Sequence, residues 1–251
     1  MNELKDRIAI ITGGSGDIGA AAVFKFVEES AKSIIIADLN IDKALKICSK
    51  IQSESSCNCI AVKTDVSSYR DIKKLFKTTI DAFGTLDILV NCAGICPIAT
   101  IEEIGEKQWD MVMAINLKST YLCSREAVAI MKERKSGKII NISSIAGRMG
   151  GIVTGINYAT SKGAIITLTK SLAKMCGPYN INVNCVAPGT IDTEMTKGWD
   201  KSWKENILKD IPLGRFGTPE DVANAIIFLA SEKSSFITGA IIDLNGGIYS
   251  G

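Results

Sequence analysis

The chain has 251 residues, a formal net charge of +2 and no histidine. Lacking imidazole, it cannot be a Ser-His-Asp or Cys-His hydrolase or hold a histidine-ligated metal, so any acid–base group must be Tyr, Lys, Cys, Asp or Glu with a shifted pKa. The near-neutral charge is spread along the chain, which argues against a nucleic-acid or anionic-membrane partner.

Seven short runs rich in Ile and Val recur: "RIAIIT" (7–12), "SIIIAD" (33–38), "CIAVKT" (59–64), "LDILVN" (86–91), "KIINIS" (138–143), "INVNCVA" (181–187) and "AIIDL" (240–244). Several are nearly continuous rather than alternating, as in strands buried on both faces of a parallel sheet. Helical patterns separate them, at 17–30, 41–52, 69–83, 109–134, 158–175 and 219–232. In the third, Ile72, Leu75, Phe76, Ile80 and Phe83 fall at helical spacing. Alternating β and α elements predict an α/β fold: a doubly wound sheet of about seven parallel strands, with helices on both faces. No Pro-, Gly- or Ser-rich linker divides the chain, so one domain is expected over 1–251. The stretch 190–217 is too long for an ordinary connection and reads as a substrate lid. Trp199 and Trp203, four apart, are expected to share a face of a short helix there.

The N-terminus lacks a signal-peptide pattern, and no run reaches the 18 or more apolar residues of a membrane span. A cytoplasmic protein is expected. Cys57 and Cys59 are too close for a usual zinc pair, and Cys92 and Cys96 have no further ligand nearby. The eight cysteines are expected to be reduced, buried small hydrophobes, with no metal site.

"TGGSGDIGAAA" follows the first strand and opens the first helix. Glycines there let backbone approach a phosphate, and the helix N-terminus offers free amides and partial positive charge. A tight strand–helix turn would use glycines too; the order strand, turn, helix favours phosphate binding. Asp38 ends the second strand, where an acid can hydrogen-bond adenosine ribose hydroxyls, although its place near Asn40 also suits a helix N-cap. A carboxylate repels a 2′-phosphate, and no Arg or Lys lies in the turn 13–19, so NAD is favoured over NADP.

In "NYATSKGAII", Tyr158 and Lys162 lie one helical turn apart on the same face. A positive charge within about 4–6 Å favours a phenolate, so Lys162 is expected to draw Tyr158 toward ionisation and let it move a proton.

Six stretches together resemble the short-chain dehydrogenase/reductase family over essentially the whole chain. They are "TGGSGDIG" (12–19), "NCAG" (91–94), Asn116 in "INLKS", "NISSIAG" with "YATSK", "VAPGTIDT" (186–193) and "ITGAIIDLNGG" (237–247). The resemblance implies a Rossmann-type fold and a homotetramer acting on a small-molecule substrate. It implies Tyr158 as proton donor and acceptor, Lys162 as its partner, Ser144 as the group orienting the carbonyl, and Asn116 supporting a water chain to Lys162. It places Gly13, Ser15, Asp17, Ile18, Gly19, Asp38, Asp65, Val66, Asn91, Ala93, Gly94, Pro188, Gly189, Ile191 and Thr193, with Tyr158 and Lys162, around NAD. Ser143 also precedes Tyr158, but the family serine stands three before the glycine, which favours Ser144 over it. A second Tyr-x-x-x-Lys, at Tyr69 and Lys73, has no serine partner and reads as surface.

The chain departs from the family pattern in places. Asp17 stands where the family has a glycine; an acid near a pyrophosphate is unfavourable, so it is expected to point outward. Asn245 replaces the usual acid before the last glycine pair. The loop between Ser144 and Tyr158 is one residue longer than usual. The expected activity is NAD(H)-dependent interconversion of a secondary alcohol and a ketone, with sugars, polyols, hydroxysteroids and small hydroxy compounds open. The alternatives are a 3-oxoacyl-[acyl-carrier-protein] reductase, which usually favours NADP and docks an acidic carrier, and a non-catalytic NAD-binding scaffold. The turn 177–180 has no basic residue for a carrier, whereas Arg125, Arg134 and Lys135 offer a patch.

Overall fold

A computed structural model describes residues 2–151 and 154–251. Ile152 and Val153, in the loop expected to carry an extra residue before Tyr158, lie outside the described residues, as does Met1.

The chain alternates strands and helices from its start. β1 (Ile8–Thr12) leads to α1 (Asp17–Glu28), β2 (Ser33–Asp38) to α2 (Ile41–Glu54), β3 (Asn58–Lys63) to α3 (Tyr69–Phe83) and β4 (Ile88–Asn91) to α4 (Glu106–Val112). A π-helical turn (Met113–Lys118) joins α4 to α5 (Ser119–Arg134). β5 (Gly137–Ile142) is followed by α6 (Ala146–Met149) and α7 (Ile156–Cys176), and β6 (Ile181–Pro188) by α8 (Glu194–Lys197), α9 (Lys201–Lys209) and α10 (Pro219–Ala230). β7 (Ile241–Leu244) completes the sheet.

All seven strands pair in parallel, in the order β3-β2-β1-β4-β5-β6-β7. β1, β4 and β5 are buried throughout, as their unbroken apolar runs predict. One apolar layer packs α1, α2 and α10 on one face through Val23, Phe26, Cys48, Ile226 and Leu229. The other packs α3, α5 and α7 through Leu75, Phe76, Leu122, Met131 and Ala173. The order of strands reverses direction between β1 and β4, so their carboxyl ends diverge into a crevice where ligands bind in such sheets.

The stretch 109–134 read as one helix in the sequence. It starts earlier, at Glu106, and widens into the π turn at Met113–Lys118. Apolar spacing cannot reveal one extra residue in a turn, and such turns concentrate at functional sites. Trp199 and Trp203 do not share a helix: Asp200 caps α9 through the Ser202 amide, which leaves Trp199 outside it. All eight cysteines are free thiols, and among the described residues no group of three or more Cys, Asp or Glu is arranged to hold a metal. No helix among the described residues is long and apolar enough to cross a membrane.

Candidate active site

A cavity of about 600 Å³ opens at the carboxyl ends of the strands, within the range of small-molecule and cofactor sites. Its floor is the turn after β1. Gly13 has φ +64°, and a Cβ there would come 2.7 Å from the Ala93 backbone, so a side chain would push apart the β1 and β4 loops. α1 opens at Gly16 with no side-chain cap, which leaves its first amides available to an anion.

Asp38 stands at the end of β2 with both carboxylate oxygens engaged. Oδ2 accepts the Ser15 amide at 2.9 Å, and Oδ1 accepts the Asn40 amide at 2.9 Å. The N-cap of α2 is Asn40, whose side chain accepts the Lys43 amide. This leaves Asp38 lining the cavity, fixed against the glycine turn. Lys43 also lines the cavity, a cation near the acid that the sequence reading did not include.

Of the residues expected around the site, Gly13, Ser15, Asp17, Ile18, Gly19, Asp38, Asp65, Val66, Ala93, Gly94, Ser144, Tyr158, Lys162, Pro188, Gly189, Ile191 and Thr193 line this one cavity. Asn91 does not. It is buried, and its Nδ2 donates to Ser124 Oγ (3.1 Å) and Asn141 Oδ1 (2.9 Å). Register explains why: Thr12, Asn91 and Asn141 lie side by side on β1, β4 and β5. Thr12 Oγ1 accepts the Cys92 and Ala93 amides. These residues form a polar layer that holds the 92–94 loop in place from beneath.

Asn116 likewise lies outside the cavity wall. Its Oδ1 accepts the Ile95 amide (2.9 Å), and its Nδ2 donates to the Ile95 carbonyl (3.0 Å) and Ser161 Oγ (3.0 Å). The π turn therefore clamps the 92–96 loop to α7. A Cβ on Gly94 would stand 3.4 Å from both Lys162 Nζ and Asn116 Oδ1. The missing side chain leaves polar room between those two groups, where a water bridge fits.

Ser143 and Ser144 part company. Ser143 Oγ donates to the Lys162 carbonyl at 2.7 Å and fastens β5 to α7, whereas Ser144 Oγ accepts the Ala146 amide and stands beside Tyr158. A Cβ on Gly147 would meet the Lys162 carbonyl carbon at 2.6 Å, so glycine lets the Ser144 turn pack directly on the helix carrying Tyr158. Arg148, paired through both Nε and NH2 with Asp243, ties the same turn to β7.

The electrostatics differ from expectation. Burial pushes the Tyr158 phenol above its ordinary range; Cys96 adds to the rise, and the Ser144 hydroxyl pulls the other way. Burial also lowers the pKa of Lys162, against the opposing influence of Cys92, Cys185 and Cys96. Its Nζ donates to the Ile142 carbonyl at 2.9 Å and lies 5.6 Å from the centre of the Tyr158 ring. Among protein groups alone, desolvation is the dominant influence, and Tyr158 is held as an acid. Cys96 lines the cavity as a neutral thiol, its pKa raised to about 11 chiefly by burial.

The decoy pair lies elsewhere. Tyr69 donates to Glu126 Oε1 at 2.9 Å, and Lys73 sits over the Tyr69 ring. Asn245 serves its own turn: it accepts the Gly247 amide and donates to the Tyr249 carbonyl. The 189–218 segment brings Trp199, and Met195, which the sequence did not single out, to the cavity wall. A second cavity, of about 470 Å³, lies between Ile98, Ala99 and Glu103 on one side and Trp203, Asn206 and Ile207 of α9 on the other.

Fold and site together define a doubly wound oxidoreductase scaffold with a Tyr-Lys-Ser cluster on the wall of its cavity. A family model described as enoyl-(acyl carrier protein) reductase matches residues 14–249. The 3-oxoacyl-[acyl-carrier-protein] reductase FabG of Chlamydia muridarum is 38% identical over 99% of this chain and 100% of its own. An uncharacterized oxidoreductase of Mycobacterium bovis, Mb1385, is 38% identical over 98% of each chain. The crystal structure of a 3-oxoacyl-[acyl-carrier protein] reductase with bound NAD from Brucella melitensis matches with TM-score 0.91 and 35% identity, covering 100% of this chain and 94% of that one. The chain belongs to the short-chain dehydrogenase/reductase family of oxidoreductases.

Proposed function

We propose that the chain is an NAD(H)-dependent reductase that interconverts a 3-oxoacyl thioester and its 3-hydroxyacyl form. One observation carries the chemistry: Tyr158, held protonated, stands with Ser144 and Lys162 in the same cavity that Asp38 lines at its β2 edge. The names of the relatives support the acyl substrate, and the second cavity beside α9 offers room for a longer chain.

The residues present fit a dinucleotide. The uncapped start of α1 would receive its pyrophosphate, Asp38 its ribose hydroxyls, and Lys162 and Thr193 the nicotinamide half. When bound, the nicotinamide supplies or accepts the hydride. Tyr158 gives its phenolic proton to the carbonyl oxygen in reduction and takes it back in oxidation. Ser144 donates a hydrogen bond to the same oxygen as charge develops there. Lys162, buried beside the Tyr158 ring, is placed to stabilise the phenolate left behind, and the space beside Gly94 lets protons return through Asn116 and Lys162.

A second reading, oxidation of a small secondary alcohol such as a sugar or polyol, is favoured by the state of the basic patch. Arg134 is engaged with Thr85 and Asp87, and Arg125 lies over the Tyr69 and Tyr121 rings. Both already hold partners within the chain, which leaves less of their charge for an acidic carrier. A panel of acetoacetyl thioesters, simple ketones and polyols, each with NADH/NAD and NADPH/NADP, separates the two. The expected result is fastest turnover of the thioester with NADH; turnover of polyols alone would select the second reading, and none of any substrate would leave a binding scaffold.

The protein is proposed to be cytoplasmic and a homotetramer. Met111, Tyr121, Ile156 and Met175 expose apolar surface on α4, α5 and α7, and Phe236 is fully exposed beside the open edge at β7. Sedimentation at micromolar concentration is expected to show four subunits; a stable monomer contradicts it.

A further inference from the structure

Asp17 occupies a position that a phosphate-binding turn does not ask for. It is the first residue of α1, on the wall of the cavity, with a charge of the same sign as a pyrophosphate. The helix terminus tolerates the acid, but that does not explain why its side chain turns as it does. Its Oδ2 accepts the backbone amide of Glu194 at 2.7 Å, from a residue 177 positions along the chain. Among the described residues this is the only hydrogen bond or ion pair between the glycine turn and the 189–218 segment.

The other holds on that segment lie at its base and toward its C-terminal end, where the Leu213 amide donates to the Gly246 carbonyl, Ile211 is buried and Arg215 pairs with Asp221. Ile191 and Gly217 pair at its base, where Asp192 donates to the Gly217 carbonyl and Gly217 to the Thr190 carbonyl. Thr193 and Thr196 form a reciprocal capping box, which sets the direction of the Glu194 amide. Beyond it, α9 buries none of its residues. Glu194 stands three residues past the Ile191 bridge, so its amide fastens the first turn of the segment beside the groove lined by Ile191, Thr193 and Met195.

We infer that Asp17 is a latch: by accepting the Glu194 amide it fastens the 189–218 segment as a lid across the cofactor groove, and release of this bond sets how fast the dinucleotide leaves. Charged groups facing the latch are Lys197, Glu194 and Asp192; Lys197 pairs with Glu194 and feels Asp17 as well. Asp17 acts through the lid and is a positioning residue.

Two variants separate the hydrogen bond from the charge. Asp17→Asn keeps an acceptor oxygen and loses the charge; Asp17→Ala loses both. The first readout uses trypsin on the protein alone, since the lid carries Lys197, Lys201, Lys204 and Lys209. Cleavage at these lysines is expected to quicken on the order of tenfold in Asp17→Ala, as for loss of one charge-assisted hydrogen bond, and only by about two- to threefold in Asp17→Asn, which keeps a weaker neutral acceptor. The second readout is stopped-flow NADH fluorescence, where Asp17→Ala is expected to raise the dissociation rate by about the same factor, with a smaller change in association. Wild-type trypsin rates in Asp17→Ala would overturn the latch, and so would equal quickening in both variants. The NADH arm rests on the cofactor reading above, whereas the trypsin arm does not. Absence of NADH binding in wild type with the trypsin pattern intact would therefore refute that cofactor reading and sustain the latch.

Discussion

Tyr158→Phe is expected to bind NADH as wild type does and to lose turnover by about 10²–10⁴-fold, the contribution of a positioned acid or base. The change removes one oxygen from a ring already packed on α7, so little else should move. Ser144 Oγ keeps its bond from the Ala146 amide, and Lys162 Nζ keeps the Ile142 carbonyl. Among the described residues no other phenol lines the cavity, and the chain holds no imidazole to stand in. Cys96 is near, but its thiol is held neutral and its pKa, raised to about 11, makes it a weak substitute. Fluorescence titration of NADH and steady-state kinetics on the same samples check both halves. Turnover within about tenfold of wild type would remove Tyr158 from the proposed role.

Asp38→Ala is expected to lower the preference for NADH over NADPH by at least about tenfold in kcat/KM, because the cost of facing like charges is several kcal/mol. The carboxylate has no easy retreat from a 2′-phosphate: the Ser15 and Asn40 amides hold both its oxygens. Lys43, on the wall of the same cavity, would then attract that phosphate without an opposing carboxylate. The ratio of the two cofactors is an internal control, since general damage to the turn lowers both. An unchanged ratio would contradict the assignment of Asp38 as the selector.

Much of the fold could be read from the chain because its strands are buried on both faces. Runs such as "RIAIIT" and "KIINIS" have no polar alternation to confuse them with surface strands, and the turn at Gly13 follows the first in the order phosphate binding needs. Local spacing also placed Tyr158 and Lys162 on one face. What it could not show was their burial. The expectation that Lys162 would draw Tyr158 toward ionisation weighed charge against water; in the fold, desolvation dominates both groups and reverses the sign.

Other features escaped for similar reasons. The π turn at Asn116 departs from an α-helix by one extra residue in its hydrogen-bonded ring, below what apolar periodicity resolves. Asn91 belongs to a lateral network set by strand register, which no single strand encodes. Trp199 and Trp203 suggested a shared face, but the Asp200 cap falls between them. The bond from Glu194 to Asp17 joins positions that only the folded chain brings together.

The pH dependence of single-turnover ketone reduction by NADH tests the central claim most directly. With the phenol protonated well above neutrality, the rate of reduction is predicted to be flat from about pH 6 to about pH 9 and to fall only beyond the ordinary tyrosine range near 10, while oxidation rises with pH. A reduction rate that falls between about pH 6 and 8 would assign the proton to another group and contradict the account.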